Sequence, residues 1–158
     1  MTLILVLATA GILAGCTTAI QTIAFNETDF TPYLSSGHSV IHGHAFVRTD
    51  NGRLHHASGL DVCLVPLTPY TAERARIMAA GDTPPPADPR LANYVQTVIA
   101  DNGGAFEFDR LPAGNYVVYC KITWWKRRLG GSGDYYVVGR ATVGDHEKKH
   151  LVVTNRPE

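Results

Sequence analysis

Residues 100–125, "ADNGGAFEFDRLPAGNYVVYCKITWW", decide the fold because turn residues and alternating apolar residues follow one another in strict order. Residues 102–104 (Asn-Gly-Gly) predict a tight turn, and residues 105–108 then alternate in a strand-like manner. Residues 111–114 (Leu-Pro-Ala-Gly) predict a second turn, after which Tyr116 begins a long strand. A period of two is typical of strands that bury one face, and short Gly- and Pro-containing connections are typical of antiparallel neighbours.

The same alternation extends over the rest of the chain and predicts a single all-β domain. Seven strands separated by turn signals are the expected content of an immunoglobulin-like β-sandwich. The predicted strands are 39–49, 59–68, 93–100, 106–109, 116–125, 134–143 and 146–154.

One short helix is predicted, in a long insertion between the second and third strands. Residues 72–80 are good helix formers, Thr71 can cap them, and Gly81 stands where a helix stop is expected. The proline-rich residues 82–90 then predict a loop.

The N-terminal region predicts export. Residues 1–15 form an apolar run that is shorter than the roughly 20 residues of a membrane span and is typical of a signal peptide. Residues 13–16 (Leu-Ala-Gly-Cys) resemble the lipobox of bacterial lipoproteins, which implies a lipid on Cys16. Thr17 is not acidic, and by the same resemblance we expect an anchor on the periplasmic face of the outer membrane. Residues 16–37 are then an extended tether, with Phe30 or Tyr33 docking on a domain that spans residues 38–155.

The combined pattern of residues 39–125 resembles the carboxypeptidase regulatory-like domain, a transthyretin-like β-sandwich related to Cna B-type repeats. This resemblance implies a transthyretin-like fold and no particular activity. The matching residues are Gly43, Phe46, Gly59, Val62, Leu64, Pro66, Asp101, Gly104, Phe106, Phe108, Leu111, Pro112, Gly114 and Tyr116. We expect Gly104 and Gly114 to adopt φ values that other residues avoid.

Composition argues against a nucleic-acid partner. Lys and Arg together number 14, as do Asp and Glu, so the formal net charge is zero and no basic stripe is present. Strand alternation predicts that Cys63 faces outward whereas Cys120 lies in the core, which disfavours a disulfide between them.

No enzymatic motif is recognisable, and we predict a non-catalytic protein without a cofactor. A metalloenzyme built on His42 and His44 is a weaker alternative, because residues i and i+2 of a strand share a face and imidazoles bind transition metals. The third ligand would come from one of four other histidines: His55, His56, His146 or His150.

Aromatic and basic residues around a predicted glycine-rich loop, residues 126–133, form the candidate binding surface. Exposed aromatic and arginine side chains are typical contact anchors for proteins or sugar rings. The surface comprises Trp124, Trp125, Arg127, Arg128, Tyr135 and Tyr136. The sequence therefore predicts an envelope lipoprotein that binds another envelope protein or, alternatively, a carbohydrate such as peptidoglycan.

Overall fold

The computed structural model describes residues 20–126 and 131–155, and of residues 124–126 and 131–134 it describes the backbone alone. Eight strands in these residues form two four-stranded sheets, which confirms the predicted all-β sandwich. Their bounds are β1 Ser39–Arg48, β2 Leu54–His56, β3 Asp61–Pro66, β4 Gln96–Ile99, β5 Ala105–Leu111, β6 Gly114–Lys126, β7 Gly131–Val143 and β8 Lys148–Thr154. The strand not predicted is β2, whose three residues are too few to show a period.

The first sheet is built around β1. The strand β5 pairs antiparallel with β1 from Ser39 to His44, and β2 pairs antiparallel with its end, from Phe46 to Arg48. On the other side β8 runs parallel to β1, so that His42 lies opposite His150. The first strand of the domain, β1, is thus paired with the last, β8.

The second sheet has the order β4-β3-β6-β7, with antiparallel neighbours throughout. The hairpin of β6 and β7 is longer than predicted, since its pairing continues to Lys126 opposite Gly131. Residues 131–133, predicted as part of a loop, therefore belong to a strand. Glycine and serine there carry no apolar alternation by which a strand could be recognised.

The main core fills the space between the two sheets. Alternation along the strands determines which residues belong to this core. Val62, Leu64 and Cys120 are at most 1% exposed, whereas Cys63 is half-buried on the opposite face. This confirms the predicted orientation of the two cysteines, which are both free thiols. Burial raises the pKa of the Cys120 thiol to about 12.

The turn that precedes β5 depends on Gly104 and Asp101. Gly104 has a φ of +78°, as predicted, and a Cβ there would lie 2.5 Å from the carbonyl oxygen of Ala45. The Asp101 carboxylate accepts hydrogen bonds from the amides of Ala105 and Gly103, both at 2.8 Å, and these bonds lower its pKa. The matching prediction for Gly114 was wrong, because its φ is not positive. Glycine is needed there because a Cβ would lie 2.6 Å from the ring of Tyr33.

The helix α1, the one α-helix within the described residues, spans Pro69–Ala79 and begins earlier than predicted. Thr68, not Thr71, is the N-cap, and the two threonines form a reciprocal capping box. Pro69 occupies the first helical turn, where its missing N–H costs nothing, and this signal was overlooked. In residues 20–126 and 131–155, no helix is long and apolar enough to cross a membrane.

The described part of the predicted tether, residues 20–37, is packed and not extended. A 3₁₀ helix spans Glu27–Tyr33, and its Phe30 is fully buried. The Phe30 ring stacks on Phe25 at 4.9 Å and contacts Tyr94 at 4.5 Å between ring centroids. Both candidates dock, because Phe30 is buried in this cluster and the Tyr33 ring packs against Tyr116 at 5.3 Å between ring centroids. Packing therefore begins well before residue 38.

Hydrogen bonds to α1 fix the start of the same segment. The carboxylate of Glu73 accepts the amides of Thr22 and Ile23, at 3.0 and 2.8 Å, and the hydroxyl of Thr22 at 2.7 Å. The bond from Ile23 is the largest contribution that lowers the pKa of Glu73. The N-terminal segment is therefore tied to the helix through both apolar packing and an anionic acceptor.

We expect Phe30→Ala to lower the free energy of unfolding by about 3–5 kcal/mol, as deletion of a buried phenylalanine ring does. Guanidinium unfolding followed by tryptophan fluorescence and circular dichroism measures the change. The matched control is Leu34→Ala, since Leu34 follows the same 3₁₀ helix but is 67% exposed. Its effect should stay within about 0.5 kcal/mol. Equal effects of the two substitutions would show that residues 20–37 do not belong to the folding unit.

Candidate functional site

A cleft of about 400 Å³ lies between the outer face of the second sheet and the polypeptide inserted between β3 and β4. Pockets for small ligands commonly span roughly 300–1,000 Å³ and are mostly apolar, with a few polar groups. We call this site the insertion cleft. Its lining residues are Val65, Thr71, Arg74, Met78, Pro84, Ala87, Asp88, Pro89, Leu91, Ala92, Val95, Val117, Tyr119 and Tyr136.

The helix α1 forms one wall, and a hydrogen bond fixes it to the sheet. The Thr71 hydroxyl donates to the carbonyl oxygen of Pro66 at 2.6 Å, which joins the first turn of α1 to the end of β3. Below this bond the small Ala75 packs in a buried cluster with Val65 and Val117. Because alanine is short, the helix can lie close to the strands.

The proline-rich loop forms the opposite wall, and side chains of α1 hold it. Nη1 of Arg74 donates to the carbonyl oxygen of Pro85 at 2.9 Å and to Oε1 of Gln21 at 2.8 Å. The hydroxyl of Tyr70 accepts the amide of Asp88 at 2.8 Å. The loop is thereby connected to both the helix and the N-terminal segment.

Asp88 ends this loop and begins the next element, a 3₁₀ helix that spans Pro89–Tyr94. Its carboxylate accepts Nε and Nη2 of Arg90 at 3.0 and 2.9 Å and also caps the Arg90 amide. These bonds lower the pKa of Asp88 to about 2, with the Arg90 side chain as the largest cause. The cleft therefore carries a carboxylate that stays ionised at neutral pH.

The floor of the cleft is the outer face of β6 and β7, where Val117, Tyr119 and Tyr136 follow the strand alternation. Burial is the main cause that raises the pKa of Tyr119, and the neighbouring Cys63 adds to it. Lys121 lies 6.0 Å from the centroid of the Tyr136 ring. At neutral pH the Tyr119 phenol remains neutral, so the floor offers aromatic surface and not a general base.

Of the predicted binding surface, the structure describes the side chains of Tyr135 and Tyr136, and these two do not share a face of the sheet. Alternation along β7 turns Tyr135 and Tyr136 to opposite faces of the sheet, and Tyr136 alone of the pair lines the cleft. The backbones of Trp124 and Trp125 lie in β6, opposite Gly133 and Ser132. Their side chains are outside the described part of the structure, as are Arg127 and Arg128 entirely.

Several residues of the cleft were missed although the sequence carried a signal for them. The outward positions of β6 are apolar or aromatic at Val117 and Tyr119, whereas those of β5 are the charged Glu107 and Asp109. Apolar residues at outward positions indicate that another layer covers this sheet. This pattern therefore indicates that the insertion covers the outer face of the second sheet, where the cleft lies.

The predicted metal pair His42 and His44 lies on the outer face of the first sheet, near His150. The ring centroids of His42 and His44 are 5.2 and 6.2 Å from that of His150. Among residues 20–126 and 131–155, however, a different group of three brings its potential ligand atoms within 4.8 Å of one another. His42 and His44 thus share a face, as predicted, but within the described residues they do not belong to a group of three potential ligands.

Solved structures match this chain, and one of them aligns with it over most of its length. It is a Pseudomonas aeruginosa protein described as a "putative carbohydrate binding protein", with a TM-score of 0.73 and 26% sequence identity over 82% of this chain and 97% of that one. An (S)-allantoin synthase also matches, at 15% identity over 77% of this chain and 42% of its own, but its TM-score of 0.38 is too low to carry an argument. No family model matches the chain. No curated protein matches it either.

We expect Arg74→Ala to loosen the outer wall of the cleft, because the loop loses a charged hydrogen-bond donor. Amide hydrogen exchange in residues 82–91 should accelerate about tenfold, since a hydrogen bond to a charged group contributes about 1.5–3 kcal/mol. Arg76→Ala removes an exposed arginine from the same helix and should leave this exchange unchanged. Identical exchange in both variants would mean that Arg74 does not hold the loop.

Proposed function

We propose that the chain is a non-catalytic binding module and that its insertion cleft accepts a carbohydrate. The observation that carries the proposal is the pairing of two tyrosines, Tyr119 and Tyr136, with the polar side chains Arg74 and Asp88 in one mostly apolar cleft. A sugar ring has an apolar C–H face and a rim of hydroxyls. Aromatic faces can contact the first, and fixed hydrogen-bonding groups can contact the second.

The polar groups of the cleft are held in fixed hydrogen bonds, which suits them to binding a ligand and not to taking part in a reaction. The Thr71 hydroxyl is committed to the carbonyl of Pro66, and the Asp88 carboxylate is committed to Arg90. The Asp88 carboxylate can still accept bonds from ligand hydroxyls, because a carboxylate has about four acceptor positions. Arg74 uses Nη1 for its bonds to Gln21 and Pro85 in the described part of the chain, which leaves the donors of Nε and Nη2 for ligand hydroxyls.

Similarity to the Pseudomonas protein supports the same ligand class. The alignment covers nearly all of that chain at 26% identity, and that protein carries a carbohydrate-binding description. Of the two binding hypotheses that the sequence left open, this favours carbohydrate over an envelope protein. Membership in the carboxypeptidase regulatory-like family is part of the proposal and is supported by the turn pattern between Gly104 and Gly114.

The test is a glycan array followed by calorimetry with the best ligand, including peptidoglycan fragments and neutral oligosaccharides. We expect Tyr136→Ala to weaken binding at least tenfold, or about 1.4 kcal/mol. The matched control is Tyr135→Ala, at the preceding residue of β7, whose side chain lies on the opposite face of the sheet. It should change the affinity less than about twofold, or about 0.4 kcal/mol.

Two outcomes would contradict the carbohydrate proposal. In one, a glycan binds but Tyr136→Ala does not weaken it while the fold stays intact by circular dichroism. In the other, no glycan binds, and an envelope protein is captured through a contact that Tyr136→Ala abolishes. The second result would support the protein-binding alternative at the same cleft.

We further propose that the protein is anchored by a lipid on Cys16, on the periplasmic face of the outer membrane. This rests on the small residues before Cys16 and on the apolar run at 1–15. Acyl chains contribute about 0.8 kcal/mol per buried CH₂, so several chains on one cysteine hold a domain stably at a membrane.

Cys16→Ser should abolish labelling by a radioactive fatty acid and release the protein from the membrane fraction. Processing of the unaltered chain should also be sensitive to globomycin. Cys63→Ser, which removes a half-buried thiol of the domain, should retain both the label and the membrane location. Undiminished labelling of Cys16→Ser would exclude this anchor.

A further inference from the structure

We propose that His38, Asp145 and His146 form a binding site for a divalent transition-metal ion. The Asp145 carboxylate lies between the two imidazoles: its oxygens are 3.7 Å from Nδ1 of His38 and 3.0 Å from Nδ1 of His146. The two rings stack with centroids 4.5 Å apart and an angle of 8° between their planes. One potential ligand atom from each residue falls within 4.8 Å of the others.

These separations match those of ligands around a shared ion. Zinc binds imidazole nitrogen at about 2.0–2.1 Å and carboxylate oxygen at about 2.0–2.2 Å, so two tetrahedral ligands lie ~3.4 Å apart. The distance from His38 to Oδ1 of Asp145 and the distance from His146 to its Oδ2 fall on either side of that value. Small rotations of exposed side chains would therefore bring the three ligand atoms to one centre, with no movement of the backbone.

The backbone that carries these side chains is fixed by a separate set of hydrogen bonds. Ser39, which is fully buried, donates its hydroxyl to the carbonyl of Gly144. The amide of Val40 donates to the carbonyl of Glu147 at 2.9 Å, and the Glu147 carboxylate accepts the amide of Gly144 at 2.7 Å. The start of β1 and the turn between β7 and β8 are thus joined, although they are distant in sequence.

The backbone of His146 is held in a conformation that a histidine seldom adopts. Its φ is +58°, in the left-handed region, in which non-glycine residues are uncommon and asparagine, aspartate and histidine are the most frequent of them. Such positions cost about 1–3 kcal/mol and are concentrated at functional sites. Together with the paired turn, this conformation places the imidazole of His146 beside that of His38.

The ligand set indicates which metal ions the site would take. Two imidazoles with one carboxylate suit Zn²⁺, Cu²⁺ or Ni²⁺, whereas Ca²⁺ and Mg²⁺ require a shell made mainly of oxygen. The three side chains are 65–70% exposed, so the remaining coordination positions would face solvent. None of the three lines the insertion cleft, and the proposal does not depend on the ligand of that cleft.

Calorimetric titration of the full-length chain with zinc chloride tests the site, with Cys16→Ser as the common background so that no lipid or thiol at position 16 affects the titration. We expect one Zn²⁺ per chain, and His38→Gln and His146→Asn should each weaken binding by at least about tenfold, the lower end of what altered metal sites lose. Asparagine at 146 removes the imidazole but tolerates the left-handed backbone. Calcium chloride should give no comparable heat.

The matched control is the double variant His42→Gln/His150→Asn, which removes two histidines from β1 and β8 outside the proposed site. Its zinc affinity should remain within about twofold of the parent. The proposal is overturned if the parent binds no zinc, if the site variants bind it unchanged while folded by circular dichroism, or if only the control loses binding. Asp145→Asn checks the carboxylate independently and should weaken zinc binding as well.

Discussion

Two strands that are apolar on both faces impose the main constraint on this molecule. In β3 and β6, residues such as Val62 and Val118 face the core between the sheets, while Val65 and Val117 face the other way and are equally buried. A sheet of this kind cannot leave one side in water. The insertion between β3 and β4 and the segment before β1 supply the missing cover, and the sandwich therefore acquires a third layer.

The insertion cleft follows from the way in which that third layer is attached. Thr71 and Ala75 hold the helix against the sheet, whereas the proline-rich loop is held at its edge by Arg74 and Tyr70. Three consecutive prolines, residues 84–86, lack the N–H donors that a helix or a strand requires, so this part of the insertion is irregular and leaves space above the sheet. A space lined by tyrosine and valine results at the boundary between the strands and the inserted segment.

The elements that could be predicted from the sequence are those determined by neighbouring residues in the chain. Alternation identified the strands around Phe106 and Cys120, and the glycine pattern identified the turn at Gly104. The three residues of β2 carry no period, and the docking of Phe30 depends on partners far along the chain. The candidate site was predicted from clustered aromatics, yet side-chain alternation separates Tyr135 from Tyr136. Of these two tyrosines, the members of the predicted surface whose side chains the structure describes, Tyr136 lines the cleft. The other cleft residues come together through tertiary packing.

The parallel pairing of β1 with β8 also bears on how the chain acquires its structure. The first sheet can be completed only when the last strand is available, and contacts between distant parts of a sequence carry a large loop-closure cost. Formation of this sheet is therefore expected to be slow, and β1 remains without one of its neighbours until β8 has been synthesised.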